Sequence, residues 1–137
     1  MMDINIFVTE FHEMLSHHFL VTEDVYQGFQ KCSGDMNPLH TDESFAKLKG
    51  FRERVMYGNI LNGFVSYFIG ECLPTKDVII HSENIEYRNP VYMNDDLLFE
   101  ATIGGVYESV NAIEFKFKFY NQTHTLVAKG NIQIGLI

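Results

Sequence analysis

The stretch that decides the fold is GNILNGFVSYFIGECL, residues 58–73, which is followed directly by Pro74. Its apolar residues recur at paired positions four apart, which is the pattern of a helix with a broad buried stripe. The members of this stripe are Ile60, Leu61, Phe64, Val65, Phe68, Ile69, Cys72 and Leu73. Proline ends a helix because it lacks an amide hydrogen and its ring clashes with the preceding turn. The sequence therefore predicts a long, nearly enclosed central helix from about Gly58 to Leu73.

A second side of this helix carries small residues, namely Gly63, Ser66 and Gly70. A glycine inside a helix costs about 1 kcal/mol relative to alanine. Two glycines in one helix therefore indicate that something packs very close to the backbone. A sheet wrapped around the helix would explain both positions.

Downstream of the helix, four segments rich in β-branched and aromatic residues are separated by turn-forming residues. These segments are Val78–Tyr87, Leu97–Tyr107, Ala112–Tyr120 and Thr125–Leu136. In the third segment Phe115, Phe117 and Phe119 alternate with charged residues, so one face of the strand is expected to be wet and the other apolar. Four strands in succession predict an antiparallel meander. A buried helix with an antiparallel sheet is an α+β fold.

Shorter elements are expected before the central helix. Residues 1–13 are expected to form a short helix or a capping arm, and residues 14–21 a strand. Thr22 is a hydroxyl N-cap followed by two acidic residues, which predicts a helix that reaches Cys32. Asp42 is expected to cap a second, shorter helix that ends before Gly50. We expect Cys32 to be a small buried hydrophobic residue.

The chemistry is concentrated in CSGDMNPLHTDESFA, residues 32–46, where Asp35 and His40 are five positions apart. Gly34 permits a turn, and Pro38 biases Asn37 away from helix, so the stretch is predicted to be a shaped loop. A carboxylate and an imidazole on such a loop suit general acid–base catalysis, which needs both groups near one proton or one water. Piece by piece, however, these residues are also ordinary turn formers.

As a whole, this stretch resembles the signature of the MaoC-like (R)-specific enoyl-CoA hydratases. The resemblance covers roughly residues 12–137. Its matching positions are Ser33-Gly34-Asp35, Asn37-Pro38-Leu39-His40, Ala46, Phe51, Arg54, Gly58, Ser66, Pro90-Val91 and Asp95. The resemblance implies one hotdog domain over residues 1–137, in which an antiparallel sheet wraps around the long central helix.

The resemblance also implies an activity, the reversible hydration of a trans-2-enoyl thioester to the (R)-3-hydroxyacyl thioester. Asp35 and His40 match the catalytic pair, which would hold a water that loses a proton as it attacks C3, while C2 receives a proton. The roles of the two residues are not assigned separately. Gly58, at the N-terminus of the central helix, would donate its free amide to the enolate oxygen.

Five further residues are predicted to contact substrate: Asn37, Arg54, Tyr57, Asn59 and Ser66. Asn37 is expected to shape the loop or support the catalytic pair. Ser66 matches a serine that lines the family's site, and either residue could instead be purely structural. Arg54 belongs to a cluster with Lys47, Lys49 and Arg52, which is either a solvated loop or a cationic rim for the phosphates of a pantetheine-bearing ligand.

Two positions depart from the family's usual pattern. Family members commonly carry His-Gly-Met where this chain has Tyr57-Gly58-Asn59, so the pocket wall is expected to differ and the acyl group to be unusual. The family's usual Val-x-x-Gly-Asp turn has Asn94 in place of glycine. Because asparagine tolerates left-handed geometry, the turn is expected to survive.

Composition narrows the range of partners. A chain of 137 residues predicts one domain with a sizeable core, and its net charge of −8 argues against nucleic acid or an anionic membrane as a partner. No apolar run reaches membrane-spanning length. Two cysteines without a signal-peptide pattern predict reduced thiols in the cytoplasm. Neither a metal ligand set nor a phosphate-binding glycine loop is present, so no cofactor is expected.

Three functions remain open. The leading one is a hydratase or dehydratase acting on acyl-CoA or acyl carrier protein thioesters, expected by resemblance to be a homodimer. The second function is a hotdog thioesterase, which would need an acidic residue on or near the central helix to activate water. No acidic residue lies between Gly58 and Gly70. A non-catalytic module that binds acyl thioesters or a carrier protein is the third, because a fold alone does not exclude it.

Overall fold

The computed structural model describes the whole chain, residues 1–137, as one sheet, five α-helices and a short 3-10 helix, Glu108–Val110. The strands are β1 Met14–Leu20, β2 Val78–Tyr87, β3 Asp96–Tyr107, β4 Ala112–Tyr120 and β5 Leu126–Leu136. The helices are α1 Ile4–Phe11, α2 Glu23–Ser33, α3 Pro38–Thr41, α4 Glu43–Leu48 and α5 Ile60–Glu71. None of the helices has both the length and the apolar character needed to cross a bilayer.

The strands form one antiparallel sheet in the spatial order β1-β3-β4-β5-β2. The meander prediction is right for β3, β4 and β5 but wrong for β2, which pairs with β5 at the far edge of the sheet. A hairpin between β2 and β3 would need a short loop. The actual connection, residues 88–95, instead crosses the fold, with Val91 buried and its carbonyl accepting a 2.8 Å hydrogen bond from the Met56 amide.

Phenylalanine packing holds α5 against the sheet. The ring of Phe68 is fully buried, and its centroid lies 5.1 Å from that of Phe99 on β3 and 5.1 Å from that of Phe115 on β4. Phe11 of α1 packs on the same ring, with a centroid distance of 6.2 Å. The predicted alternation on β4 is confirmed, because its phenylalanines are buried while Lys116 and Lys118 are exposed.

The prediction that α5 is nearly enclosed was wrong for one of its faces. Gly63, Ser66, Tyr67 and Gly70 are exposed, and a Cβ added at either glycine would meet nothing within 4 Å. The small residues therefore do not serve contact with the sheet, because the sheet covers only the opposite stripe of the helix. The helix also begins two residues later and ends two residues earlier than predicted.

The predicted helix starts are confirmed. The Thr22 hydroxyl accepts a 3.2 Å hydrogen bond from the Val25 amide at the start of α2, and the Asp42 carboxylate does the same for the Phe45 amide of α4, also at 3.2 Å. The prediction that Cys32 is buried was wrong, since its side chain is exposed. The buried face of α2 is centred on Tyr26 instead.

The predicted turn before β3 is also confirmed, with Asn94 in the left-handed region at φ 68°. The carboxylate of Asp95, only 3% exposed, stabilises this turn. It accepts hydrogen bonds from the Tyr92 amide and from the side chain of Gln122, both at 2.9 Å. Asp95 therefore ties the connection between β2 and β3 to the loop that follows β4.

Replacing Phe68 by alanine should lower the free energy of unfolding by about 3–5 kcal/mol, because it removes a fully buried ring and leaves a cavity between α5 and the sheet. Urea unfolding measures this loss. Leu48→Ala is the control, since that side chain is 85% exposed and its truncation should change stability by less than about 0.5 kcal/mol. Equal losses in both variants would contradict the packing described.

Candidate active site

The motif at residues 32–46 folds as two helix termini joined by a short loop. Helix α2 continues to Ser33 and ends at Gly34, whose φ of 72° is left-handed. Asn37 is extended and caps α3, which starts at Pro38. The loop prediction was therefore wrong for residues 38–41, which form α3, because proline is well suited to the first position of a helix.

Local hydrogen bonds shape the loop of residues 34–37. The Asp35 amide donates to the Ser33 hydroxyl at 3.1 Å, and one Asp35 carboxylate oxygen, Oδ1, accepts from the Asn37 amide at 2.9 Å. The Asn37 side chain accepts in turn from the Leu39 amide at 2.9 Å. Asn37 thus helps to shape the loop. The second carboxylate oxygen of Asp35, Oδ2, accepts no hydrogen bond from the protein.

The ring of His40 is held in one orientation and one tautomer. Its Nδ1 lies 2.7 Å from the carbonyl oxygen of Val55. Because a carbonyl oxygen only accepts, Nδ1 carries the proton and Nε2 of the neutral ring keeps a free lone pair. The imidazole also stacks on the ring of Tyr57, with centroids 4.2 Å apart and planes 29° apart. His40 is therefore arranged to act as a base through Nε2.

Gly58 lies two residues before α5, and its carbonyl accepts the Leu61 amide of the first helical turn at 3.0 Å. Its own amide has no hydrogen-bond partner, as is usual at a helix N-terminus, where the helix dipole favours negative charge. A Cβ at this position would come within 3.0 Å of the Tyr87 ring. Glycine therefore allows the ring of Tyr87 to lie close to the backbone here.

His40 and Gly58 line the same cavity, which has a volume of about 350 Å³. This volume is typical of a small-molecule site. The remaining lining residues are Phe51, Val55, Met56, Leu61, Tyr87, Arg88, Asn89, Pro90 and Val91. Asp35 is exposed and is not among the lining residues. A larger groove of about 530 Å³ lies along the polar face of the sheet and contains none of the predicted site residues.

Tyr57 lies behind the cavity rather than in its wall. The side chain is buried, with 2% exposed. Its hydroxyl donates a 2.7 Å hydrogen bond to the backbone carbonyl of Asp35 and accepts a longer one, at 3.4 Å, from the side chain of Gln30. Tyr57 therefore contacts both members of the predicted catalytic pair.

Asn59 and Ser66 also lie outside the lining of the cavity. The Asn59 side-chain oxygen accepts hydrogen bonds from Asn62 at 2.9 Å and from the Tyr87 hydroxyl at 3.3 Å. Ser66 lies on the exposed face of α5. The structure of one chain thus brings neither residue to His40.

The four cations of the predicted rim contact carboxylates or aromatic rings outside the cavity. Arg54 pairs with Glu23 at 3.5 Å, and its guanidinium lies 5.4 Å from the centroid of the Tyr26 ring. Arg52 lies 4.3 Å from the centroid of the Tyr92 ring. Lys47 pairs with Glu43, while Lys49 lies over Phe45. None of these four cations lines the cavity.

Sequence reasoning missed two parts of the site. One is the Val55 carbonyl that selects the tautomer of His40, and no side-chain pattern reports a backbone contact of this kind. The other is Tyr87, which reaches Gly58 from the end of β2. Near Tyr87, the only sequence signal was that Pro90-Val91 matches the family signature, and this match did not point to Tyr87. Nowhere in the chain do three or more histidine, cysteine or acidic side chains cluster closely enough to hold a metal ion.

A helix packed on one antiparallel sheet, with His40 and Gly58 lining one cavity, is the arrangement of a hotdog protein with a candidate acid–base site. The MaoC like domain matches residues 12–123, and the chain belongs to that family.

The chain is similar to the (R)-specific enoyl-CoA hydratase of Aeromonas caviae, with 26% identity covering 79% of this chain and 81% of the relative. It is also similar to the mitochondrial 3-hydroxyacyl-[acyl-carrier-protein] dehydratase of Arabidopsis thaliana, with 28% identity over 80% and 66% of the two chains. Among solved structures, the unliganded R-hydratase PhaJ1 from Pseudomonas aeruginosa gives a TM-score of 0.82 at 26% identity, covering 90% of this chain and 79% of that one.

These findings confirm the predicted family and the hotdog fold. The names of the relatives agree with the predicted hydratase or dehydratase activity.

Tyr26 packs behind the site, with its ring edge-on to Tyr57 at a centroid distance of 6.1 Å. Its hydroxyl is buried and has no hydrogen-bond partner. Burial raises the pKa of this phenol well above its ordinary value, although the nearby Arg54 guanidinium acts in the opposite direction. Removing the hydroxyl should therefore leave the site intact.

Tyr26→Phe should leave the free energy of unfolding at neutral pH within about 1 kcal/mol of wild type. Above about pH 10 the phenol ionises in the unfolded chain but stays protonated in the folded chain. Wild type should therefore lose stability there, and Tyr26→Phe should lose less. Urea unfolding at neutral and alkaline pH measures the difference. Identical pH dependence in both proteins would contradict the burial of this hydroxyl.

Proposed function

We propose that this protein is a hydro-lyase that adds water to a trans-2-enoyl thioester to give the (R)-3-hydroxyacyl thioester, and that catalyses the reverse dehydration. The observation that carries the proposal is that His40, whose Nε2 is free, and Gly58, whose amide is unpaired, line one cavity. Asp35 lies in the adjoining loop and is connected to His40 through Tyr57. The names of the relatives support the same reaction.

In the proposed mechanism, Asp35 and His40 Nε2 hold one water between them. The water loses a proton to the pair as its oxygen bonds to C3, and the electrons of the double bond move toward the thioester oxygen. The resulting enolate collapses when the pair returns a proton to C2. The sum is one water added across C2 and C3, with nothing oxidised or reduced.

Gly58 acts on the charge that develops in this step. The enolate oxygen accepts a hydrogen bond from the Gly58 amide, which is already oriented and has no partner to give up. Loss of one such donor typically raises the activation free energy by about 3 kcal/mol. The lack of a side chain also lets the thioester carbonyl approach the backbone.

The carrier of the acyl group is coenzyme A or acyl carrier protein. The relatives include a hydratase named for coenzyme A and a dehydratase named for the carrier protein. The cations that would form a phosphate rim are paired with carboxylates or stacked on aromatic rings. We therefore treat both carriers as substrates to be tested. We also propose that the protein is a single hotdog domain over residues 1–137. We further propose that it works in the cytoplasm, where the exposed Cys32 would stay a reduced thiol.

The protein is proposed to act as a homodimer. Nothing lies within 4 Å of a Cβ built at Gly63 or Gly70, so the small-residue face of α5 is open to a second helix. Strand β2 is an edge strand that exposes Ile79 and Ile80. An unpaired, partly apolar edge is suited to pairing with another chain. Both features lie open in a single chain, and a second copy would cover them.

Asp35→Asn and His40→Gln should each lower kcat by about 10²–10⁴, because each removes a proton-transfer group. Loss of the enoyl-thioester absorbance, with the enoyl group on coenzyme A and then on carrier protein, measures the rate. Asp77→Asn is the matched control, since its exposed carboxylate makes no hydrogen bond or ion pair and the variant should keep wild-type activity.

Binding of both thioesters without turnover by wild type would contradict the enzyme and favour a binding module. Release of free thiol by wild type would favour a thioesterase.

Gly63→Arg should give a folded monomer. The arginine meets nothing within one chain, and it should even favour the helix by about 1 kcal/mol, but it would block a second helix from the open face of α5. Sedimentation velocity should show twice the mass of one chain for wild type and for the control Leu48→Arg, whose position is 85% exposed on α4. A wild-type monomer, or a dimeric Gly63→Arg, would contradict the proposed interface.

A further inference from the structure

We infer that Tyr57 is the residue that positions the Asp35–His40 pair, and that it does so by a hydrogen bond to one member and a stacking contact to the other. This inference rests on the proposed function. It changes the predicted role of Tyr57, because its side chain is 2% exposed and is not part of the cavity lining. Tyr57 therefore acts through the pair rather than by touching substrate.

The contact with Asp35 is the long-range anchor of its loop. Within residues 34–37, the other hydrogen bonds join groups no more than five positions apart. Those bonds define the local shape of the loop but do not fix where it lies relative to the cavity. The 2.7 Å hydrogen bond from the Tyr57 hydroxyl to the Asp35 carbonyl spans 22 positions, and it fixes the backbone that carries the carboxylate.

The contact with His40 fixes the plane of the imidazole. Stacking at 4.2 Å sets the tilt of the ring, while the hydrogen bond to the Val55 carbonyl sets its rotation. Val55 lies only two positions before Tyr57, so both restraints on His40 come from one short segment. The same segment leads into Gly58. The two proposed catalytic side chains and the amide donor are thus all positioned by one short segment, residues 55–58.

The hydroxyl of Tyr57 is itself oriented. It accepts from the side chain of Gln30 on α2 at 3.4 Å and donates to Asp35, so its proton points toward the loop. The ring is wedged between Phe29 of α2, at 4.8 Å, and His40. A phenylalanine at this position would keep both ring contacts and lose only the hydroxyl.

Tyr57→Phe should therefore lower kcat between about tenfold and a hundredfold, because it loosens the placement of one catalytic group. KM should stay within about twofold, since no substrate contact is lost. Tyr26→Phe is the matched control, as it removes a neighbouring buried hydroxyl that has no partner, and it should retain wild-type kcat. Because a smaller folded fraction would also lower the apparent kcat without changing KM, kcat is calculated per folded enzyme, with the folded fraction of each variant taken from its urea unfolding curve.

Amide hydrogen exchange without substrate provides a readout that does not depend on activity. The Asn37 and Leu39 amides, which close the loop, should exchange at least about tenfold faster in Tyr57→Phe than in wild type or Tyr26→Phe. If wild type turns over no enoyl thioester, the proposed function fails, and the exchange rates still report whether Tyr57 holds the loop. An unchanged kcat in an active protein, or unchanged exchange in any case, overturns the inference.

Gln30→Ala is a second variant, to be used if Tyr57→Phe does not fold. It keeps the tyrosine and removes the group that orients its hydroxyl. It should lower kcat by a smaller factor, about threefold, and accelerate exchange of the same two amides. Wild-type values for both quantities would overturn the inference.

Discussion

The packing of α5 on the sheet is the interaction on which the rest of the structure depends. Phe68 is in contact with rings from β3, β4 and α1, so it fixes the position of the helix on the sheet. Because a helix is stiff, the position of its first turn is fixed as well. The free amide of Gly58 precedes that turn, and a hydrogen-bond donor useful in catalysis must not move as charge develops. The aromatic core thus places the site's proposed electrostatic group.

The site combines segments that are distant in sequence. His40 comes from α3, Gly58 from the entry to α5, and Tyr87 from the end of β2. Two of its features are backbone groups, the Val55 carbonyl and the Gly58 amide. The cations near the motif are held by local partners outside the cavity, and Arg88, which lines the cavity, pairs with Glu86 at 2.7 Å. The proposed chemistry therefore rests on local backbone groups, the Val55 carbonyl and the Gly58 amide, rather than on the net charge of the chain.

Local sequence patterns predicted the local structure well. Thr22 and Asp42 cap helices because a side-chain oxygen satisfies an orphan amide, which is a contact within three residues. Alternation on β4 reports burial on each face directly. The place of β2 at the sheet edge and the open face of α5 were not predictable in this way. Both depend on which surfaces meet after the chain has crossed the fold, and periodicity within a segment does not carry that information.

In the candidate site, too, residue types were predictable from the sequence, whereas long-range contacts were not. Asp35 and His40 were predicted because their residue types suit proton transfer and the whole motif resembles the family signature, but the type of residue 57 did not reveal where its hydroxyl points. Tyr57 stands where the resemblance leads one to expect a histidine, and its phenol reaches the Asp35 carbonyl while its ring stacks on His40. Neither Tyr57 nor Asn59 lines the cavity. The departure from the expected pattern therefore lies behind the proposed catalytic pair and not in the wall of the cavity.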